Sequence, residues 1–351
     1  MDTAPADPEL ESSPAAVNVA FSAIVADSSG NILQQEKPNT PINPGSTTKL
    51  LTAYVTLKAM QEGKLTLDSH VKISAEDAAF ESNTDAFPFV KKDGKKELIV
   101  KPGDEVKVDD LLKLAGIYSA NGAAKALAHA VGGNETEFTK LMTAIAHKVG
   151  MSNSTFFSPN GMPGKNNNVT TAADLAKLAL AFQRDFPNEF QQYFGVNDFT
   201  YTAPNGDKFP ITGHNKAFVG HDGTLGGKTG HTYEAGFNNV VVKKDEAGHI
   251  LVGVITGAPN TRLRDYLLHQ WFHRAEYSPD PSIKDRLFAP HVSSNDDMAR
   301  NEGEGRGMLK TWTSTNVING FAVPIPSTKI SIQRPDPPRS TSTDKSSPQP
   351  L

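Results

Sequence analysis

At 351 residues, with 37% hydrophobic and 21% charged side chains, the chain can form one large domain or two ordinary ones and needs no covalent staple for its core. Its net charge of -4 leaves no basic surplus to neutralise phosphates, which excludes nucleic acid as a partner. The lack of cysteine excludes disulfides, thiolate catalysis and cysteine-based zinc sites, and no apolar run approaches the ~20 residues of a membrane span.

Residues 1–17, rich in Pro, Ala, Ser and acids, read as a disordered lead. The start, MDTAPADPELESS, has neither the basic residues nor the apolar stretch of a secretory signal. VNVAFSAIVAD then reads as a strand, SSG as a turn and NILQQE as its hairpin partner. A helix begins near Thr47. Leu50, Tyr54, Leu57 and Met60 recur at helical spacing and give it one apolar face, and Gly63 closes it. VKVDDLLKLAGIY and GAAKALAHAVGG are two further helices, separated by SAN, and ETEFTKLMTAIAHKVG is another. In TTAADLAKLALAF, Thr171 and Asp174 have capping-box spacing. GFNNVVVKK and HILVGVITG form a β-hairpin across DEAG, and TRLRDYLLHQWFHRA is a final helix. Strands therefore lie near both ends of residues 18–275, with helices between. This order predicts an α+β or three-layer domain whose antiparallel sheet is built from both chain ends. Residues 276–351 read as an irregular extension ending in a Pro/Ser-rich tail, although TWTSTNVINGFAVPI has room for short strands.

Three short motifs carry chemistry. In NPGSTTKLLTAY, Ser46 and Lys49 lie one helical turn apart and share a face. A helix start presents backbone N–H groups that suit an oxyanion. A serine there attacks a carbonyl if a neutral lysine takes its proton, and neutrality requires burial or a nearby cation. Taken alone, the pair is weak evidence and is better explained as a helix cap and a surface lysine. YSANGAAKA adds Ser119 and Asn121 at a junction between helices, and GGKTGHTYEAGF adds Lys228, Thr229 and Gly230 before the terminal hairpin. Ser-x-x-Lys, Ser-x-Asn and Lys-Thr-Gly in this order form the motif set of penicillin-binding proteins and class A β-lactamases.

With these motifs and the stretches around them, residues 18–275 resemble the low-molecular-mass serine D-alanyl-D-alanine carboxypeptidases. The resemblance implies a β-lactamase/transpeptidase-like fold with a helical subdomain. It implies Ser46 as nucleophile, Lys49 as general base, Ser119 as proton relay and Asn121 as a partner of Lys49 and of the substrate amide. Lys228, Thr229 and Thr232 would hold the substrate's terminal carboxylate. Gly230 belongs to the same binding strand, and the backbone N–H groups of Ser46 and His231 would form the oxyanion hole. Arg262 is a further candidate to assist with the carboxylate, not matched to the family's own basic residue. The implied substrates are peptidoglycan stem peptides, with β-lactams as covalent inhibitors and with neither cofactor nor metal. That substrate lies outside the cytoplasm, so a periplasmic or wall-side location with a removed signal peptide is implied. Three features depart from the family pattern. Ala120 stands where the lactamase motif has Asp. Gly122 stands where many relatives have Asp. Neither the family's β-rich second domain nor an amphipathic membrane anchor is evident after residue 275.

Rival readings fit less well. A class A β-lactamase uses a Glu-x-x-Leu-Asn stretch between the second and third motifs, and Glu189 in FPNEFQQYF has neither the position nor the neighbours. GTLGGKT ends like a phosphate-binding loop, but Gly223 is one residue too close to Gly227 and the segment that follows reads as a strand. A sensor or scaffold that acylates without turnover stays open. His129 and His147 fall on separate helices. His214, His221 and His231 flank the third motif without a carboxylate pair at metal-ligand spacing.

Overall fold

The computed structural model describes residues 21–80, 84–221 and 223–277, a few positions up to 287, and the backbone of two short strands between 317 and 322. The first elements are as expected: β1 (Ser22–Asp27) and β2 (Ile32–Glu36) pair as an antiparallel hairpin. A 3-10 turn, Gly45–Thr47, leads into helix α1 (Thr48–Gln61). Apolar spacing predicts one buried face for α1, but eleven of its fourteen residues are buried, including Thr48, Thr52 and Thr56. The helix lies inside the molecule, and hydrogen bonding makes its hydroxyls tolerable there: Thr56 donates to the Thr52 carbonyl at 2.9 Å and Thr52 to the Pro159 carbonyl.

Four short strands follow that periodicity does not reveal: β3 (His70–Lys72), β4 (Phe89–Lys92), β5 (Lys95–Leu98) and β6 (Glu105–Lys107). They form two-stranded ribbons, β3 with β6 and β4 with β5. Runs of three or four residues are too short to show an alternation. Helix α2 (Val108–Lys113) passes into a single π-helical stretch, Leu114–Tyr118, before α3 (Asn121–Gly132) and α4 (Glu135–Lys148). Helix α5 (Ala172–Asp185) starts where the capping spacing places it, with Thr171 Oγ1 accepting from the Asp174 N–H at 3.1 Å. Only half of the box forms. The Asp174 carboxylate turns instead to the Asn153 N–H and the Ser154 hydroxyl, 2.8 Å each. Helix α6 (Pro187–Phe194) and the ribbon β7 (Asp198–Thr202) with β8 (Lys208–Thr212) complete this half.

The last quarter returns to the sheet with β9 (Thr224–Thr232), β10 (Gly236–Lys244) and β11 (Ile250–Ala258), then helix α7 (Thr261–Tyr277). The strand order is β2-β1-β11-β10-β9, antiparallel throughout, so both chain ends build one sheet as expected. The Lys-Thr-Gly motif lies within β9, a nine-residue edge strand that the sequence reading left outside the hairpin.

Sheet faces follow the period of two. Ile24, Ala26, Val240, Val242, Val252 and Val254 pack with the helices in the larger core, while Ala23, Val25, Val241, Leu251 and Ile255 pack with Leu268 and Phe272 of α7. Both faces are covered, which is why VVV and ILVGVI read as continuous apolar runs. Gly253 admits α7 closely: a β-carbon there would lie 2.5 Å from the Phe272 ring. The result is three layers, helices over sheet over α7, within the unit Val19–His291. A second unit comprises Met1–Asn18 and Val292–Leu351. Within it, β12 (Val317–Ile318) pairs antiparallel with β13 (Phe321–Ala322); the lead at 1–17 and the Pro/Ser-rich tail lie outside the described residues.

Candidate active site

Ser46 is the middle residue of the 3-10 turn, and Lys49 is the second residue of α1. Lys49 is fully buried. Its Nζ donates to Ser46 Oγ at 2.9 Å, to Asn121 Oδ1 at 2.8 Å and to the Asn160 carbonyl at 2.9 Å. The first contact is local, one turn of helix. The other two join segments 72 and 111 residues away. Asn160 is a site residue that the sequence reading missed. Its only local signal is the turn SPNG, in which Gly161 takes a positive φ of 83°.

Three glycines bring three backbones together here. A β-carbon on Gly161 would lie 1.9 Å from the Gly45 carbonyl oxygen. One on Gly230 would lie 2.7 Å from the Pro44 carbonyl oxygen and 2.8 Å from the Thr47 nitrogen. One on Gly45, itself at φ 54°, would lie 3.2 Å from the His231 nitrogen. Such separations exclude any side chain at Gly161 and Gly230. The packing sets the His231 backbone beside the turn that carries Ser46.

Ser119 ends the π-helical stretch in the left-handed region, φ 72° and ψ 29°. A non-glycine residue there is costly and needs its surroundings to hold it. The neighbouring Ala120 N–H, bonded to the Leu114 carbonyl at 2.9 Å, supplies part of that hold. Among the described residues the half-buried Ser119 hydroxyl has no hydrogen-bond partner. Two residues on, Asn121 opens α3 and is 3% exposed.

Pairing register divides motif three between two faces. Lys228, Gly230 and Thr232 oppose Val240, Asn238 and Gly236, on the side of the helical core; Thr229 and His231 oppose Asn239 and Phe237, on the side of α7. The His231 ring stacks on Phe237 at 4.0 Å, and partial burial and then Arg264 hold its pKa below the ordinary imidazole value. Lys228 is 2% exposed and donates to the Thr229 carbonyl at 3.0 Å. Burial, helped by the Arg264 charge, brings its pKa down to about 7. Thr229 and Thr232 are buried, and the Thr232 hydroxyl accepts from the Ala235 N–H at 2.9 Å, which leaves its own proton to donate.

The basic residue near this strand is Arg264, not Arg262. Arg262 is exposed, whereas Arg264 is 4% exposed and pairs with Asp265 through two bonds of 2.7 and 2.9 Å. Helical period explains the difference: Arg264, Leu268 and Phe272 are spaced four apart and turn to the sheet together. His214, read in the sequence as flanking the third motif, adjoins Tyr118 at the site. Its ring lies 5.5 Å from that of Tyr118, and partial burial, then the Lys228 charge, lower its pKa. His129 pairs with Asp77 at 2.9 Å and His147 with the Ser154 carbonyl at 2.9 Å. Among the described residues no cluster of His, Cys, Asp and Glu has the makings of a metal site.

Comparison with known proteins gives the family and the fold. The family model described as D-alanyl-D-alanine carboxypeptidase matches residues 9–260. D-alanyl-D-alanine carboxypeptidase DacC of Escherichia coli is 32% identical over 239 residues, 67% of this chain and 56% of that protein, so the chain spans little more than half of that relative's length. A crystal structure of D-alanyl-D-alanine carboxypeptidase from Mycobacterium tuberculosis H37Rv is 25% identical with a TM-score of 0.64, covering 79% of this chain and 98% of that one. Penicillin-binding protein D2 from Listeria monocytogenes, in its cefotaxime-bound form, shares the fold at 24% identity and a TM-score of 0.60, covering 72% of this chain and 96% of that one. With the match running from the first strand through all three motifs to the last, this chain belongs to the D-alanyl-D-alanine carboxypeptidase family.

Proposed function

We propose that the protein is a serine-type D-alanyl-D-alanine carboxypeptidase, which removes the terminal D-alanine from peptidoglycan stem peptides through an acyl-enzyme on Ser46. The observation that carries this reading is the buried Lys49 Nζ, 2.9 Å from Ser46 Oγ and held by Asn121 and Asn160. Neutral Lys49 takes the hydroxyl proton as Ser46 attacks the penultimate carbonyl carbon. The backbone N–H groups of Ser46 and His231 receive the developing oxyanion; one such donor is worth roughly 3 kcal/mol in hydrolases. The peptide C–N bond breaks and the D-alanine amine leaves with a proton relayed through Ser119. Water then hydrolyses the ester. Lys228, Thr229 and Thr232 hold the leaving residue's carboxylate, with Arg264 adding positive potential from behind. In this scheme the His231 ring has no chemical role, in keeping with its place against Phe237.

β-Lactams present a cyclic amide to the same nucleophile, and the cefotaxime-bound relative supports their entry here. A cell-wall substrate places the protein outside the cytoplasm, and no helix among the described residues is long and apolar enough to cross a membrane.

The test is mass spectrometry after benzylpenicillin treatment, with D-alanine release from a peptide ending in D-Ala-D-Ala measured alongside. Wild type should form a covalent adduct and release D-alanine, and Ser46→Ala should do neither. An adduct without D-alanine release would make the protein a penicillin-binding sensor or scaffold. No adduct on folded wild type would remove the reading altogether.

A further inference from the structure

A cavity of about 430 Å³ opens at the α7 side of motif three, and the chemistry above makes no use of it. Its wall includes His214, Lys216 and Ala217 from the segment after β8, and Thr261, Arg264 and Asp265 from the start of α7. Contacts of its wall locate it. The His214 ring lies 5.5 Å from that of Tyr118, the neighbour of Ser119, and a β-carbon on Gly213 would lie 2.9 Å from the Ile117 carbonyl oxygen. Asn215 reaches the strand of motif three, where a β-carbon on Gly227, next to Lys228, would lie 2.8 Å from its Nδ2. The cavity therefore adjoins the end of the site assigned to the leaving residue's carboxylate.

Size and charge then say what it takes. Ligand pockets run from about 300 to 1,000 Å³, and the methyl group of a leaving alanine fills only a small part of such a space. Arg264 and Asp265 are locked in their two-bond pair, so neither side chain is free to bond a ligand. Lys216 is exposed and has no ion pair among the described residues. That exposed ammonium leaves the wall basic.

Resting on the carboxypeptidase reading, we infer that this cavity is a leaving-residue pocket, which admits D-amino acids larger than alanine and favours those with an acidic side chain. The chemical step is unchanged. The Ser46 Oγ–carbon bond forms, the amide C–N bond breaks and the larger amino acid leaves as its amine, so only water is needed as co-reactant.

The experiment uses peptides of one sequence ending in D-Ala-D-Xaa, where Xaa is Ala, Glu, Lys or Leu, and measures kcat/KM for each. The D-Glu peptide should be cleaved within about threefold of the D-Ala peptide, and the D-Lys peptide about tenfold more slowly than D-Glu, the scale of one favourable pocket contact. Lys216→Glu should reverse the order of D-Glu and D-Lys while changing D-Ala release less than about twofold, because rim charge acts on the group it faces. Thr261→Trp, placed at an exposed wall position, should depress D-Glu and D-Leu cleavage and spare D-Ala. Equal rates for D-Glu and D-Lys, or an order unmoved by Lys216→Glu, overturn the charge preference. If D-Glu, D-Lys and D-Leu are all cleaved at least tenfold more slowly than D-Ala, the pocket is overturned while the carboxypeptidase reading stands. Failure to release D-alanine overturns both.

Discussion

Asn238 of β10 is tied to Pro44, two residues before Ser46: its Nδ2 donates to the Pro44 carbonyl at 3.2 Å. The same amide nitrogen donates to the Asn43 carbonyl at 3.2 Å, and Oδ1 accepts from the Gly257 N–H of β11 at 2.9 Å. One fully buried side chain thus fastens the nucleophile turn to two strands of the sheet. Asn238→Ala orphans these groups, and each unsatisfied buried polar group costs about 1–3 kcal/mol. We expect a loss of stability together with a fall of about tenfold or more in the rate of acylation by a fluorescent penicillin, since a small displacement of the attacking group is costly. Equal acylation rates for folded Asn238→Ala and wild type would remove the positioning role.

Asn121 contributes a neutral acceptor to the Lys49 amine at 2.8 Å. Asn121→Asp keeps the shape and replaces that acceptor with a carboxylate. An adjacent negative charge favours the charged ammonium and so withholds the base. The prediction is a fall of about tenfold or more in kcat/KM near neutral pH, with the acid limb of the pH profile displaced to higher pH, as a rise in the pKa of the essential base requires. A profile of unchanged shape would mean that Lys49 is not the titrating base.

Lys228 has a pKa of about 7 in the unliganded protein, lowered first by burial and then by Arg264. A substrate carboxylate beside it raises that value, because opposite charge favours the ammonium. Above pH 7 the complex therefore holds more protons than the free protein, so binding takes up a proton and weakens as pH rises. Below pH 7 the ammonium is present in both states and affinity is flat. Calorimetric titration of Ser46→Ala with a D-Ala-D-Ala peptide between pH 6 and 9 in two buffers reads both affinity and proton uptake. Lys228→Arg, charged throughout, should abolish the uptake and the slope.

The same lysine affects stability. Its ordinary pKa is 10.5 and its folded value about 7, so between these values the unfolded chain binds more protons. The Lys228 contribution to stability therefore improves as pH rises from about 7 towards 10.5, and below 7 its burial penalty is fully present.

Gly122 shows how a departure from the family pattern acquires a local reason. The resemblance leads one to expect Asp at this place, but here a β-carbon would lie 2.2 Å from the Asp77 carbonyl oxygen and 2.4 Å from the Phe87 ring. The Gly122 N–H also donates to the Ala86 carbonyl at 2.9 Å. The Asp77 carbonyl and the Phe87 ring thus occupy the space in which that side chain would stand. No spacing rule within SANGAAKA points to residues thirty-five or more positions earlier.

The sequence alone determined whatever depends on short separations. Ser46 and Lys49 share a helical face because they are one turn apart, Thr171 caps α5 because Asp174 follows at the right interval, and the apolar runs of β10 and β11 mark strands covered on both sides. The motif order also carried the antiparallel sheet made from both chain ends. Tertiary structure alone decided the rest. It recruited the Asn160 carbonyl to Lys49, chose Arg264 over Arg262, turned the His231 ring to Phe237 and placed Asn238 against Pro44. It also buried α1 on all sides, although its pattern marks only one apolar face. Each of these rests on close packing and hydrogen bonds between segments distant in sequence, and local periodicity carries no information about which distant backbone will approach.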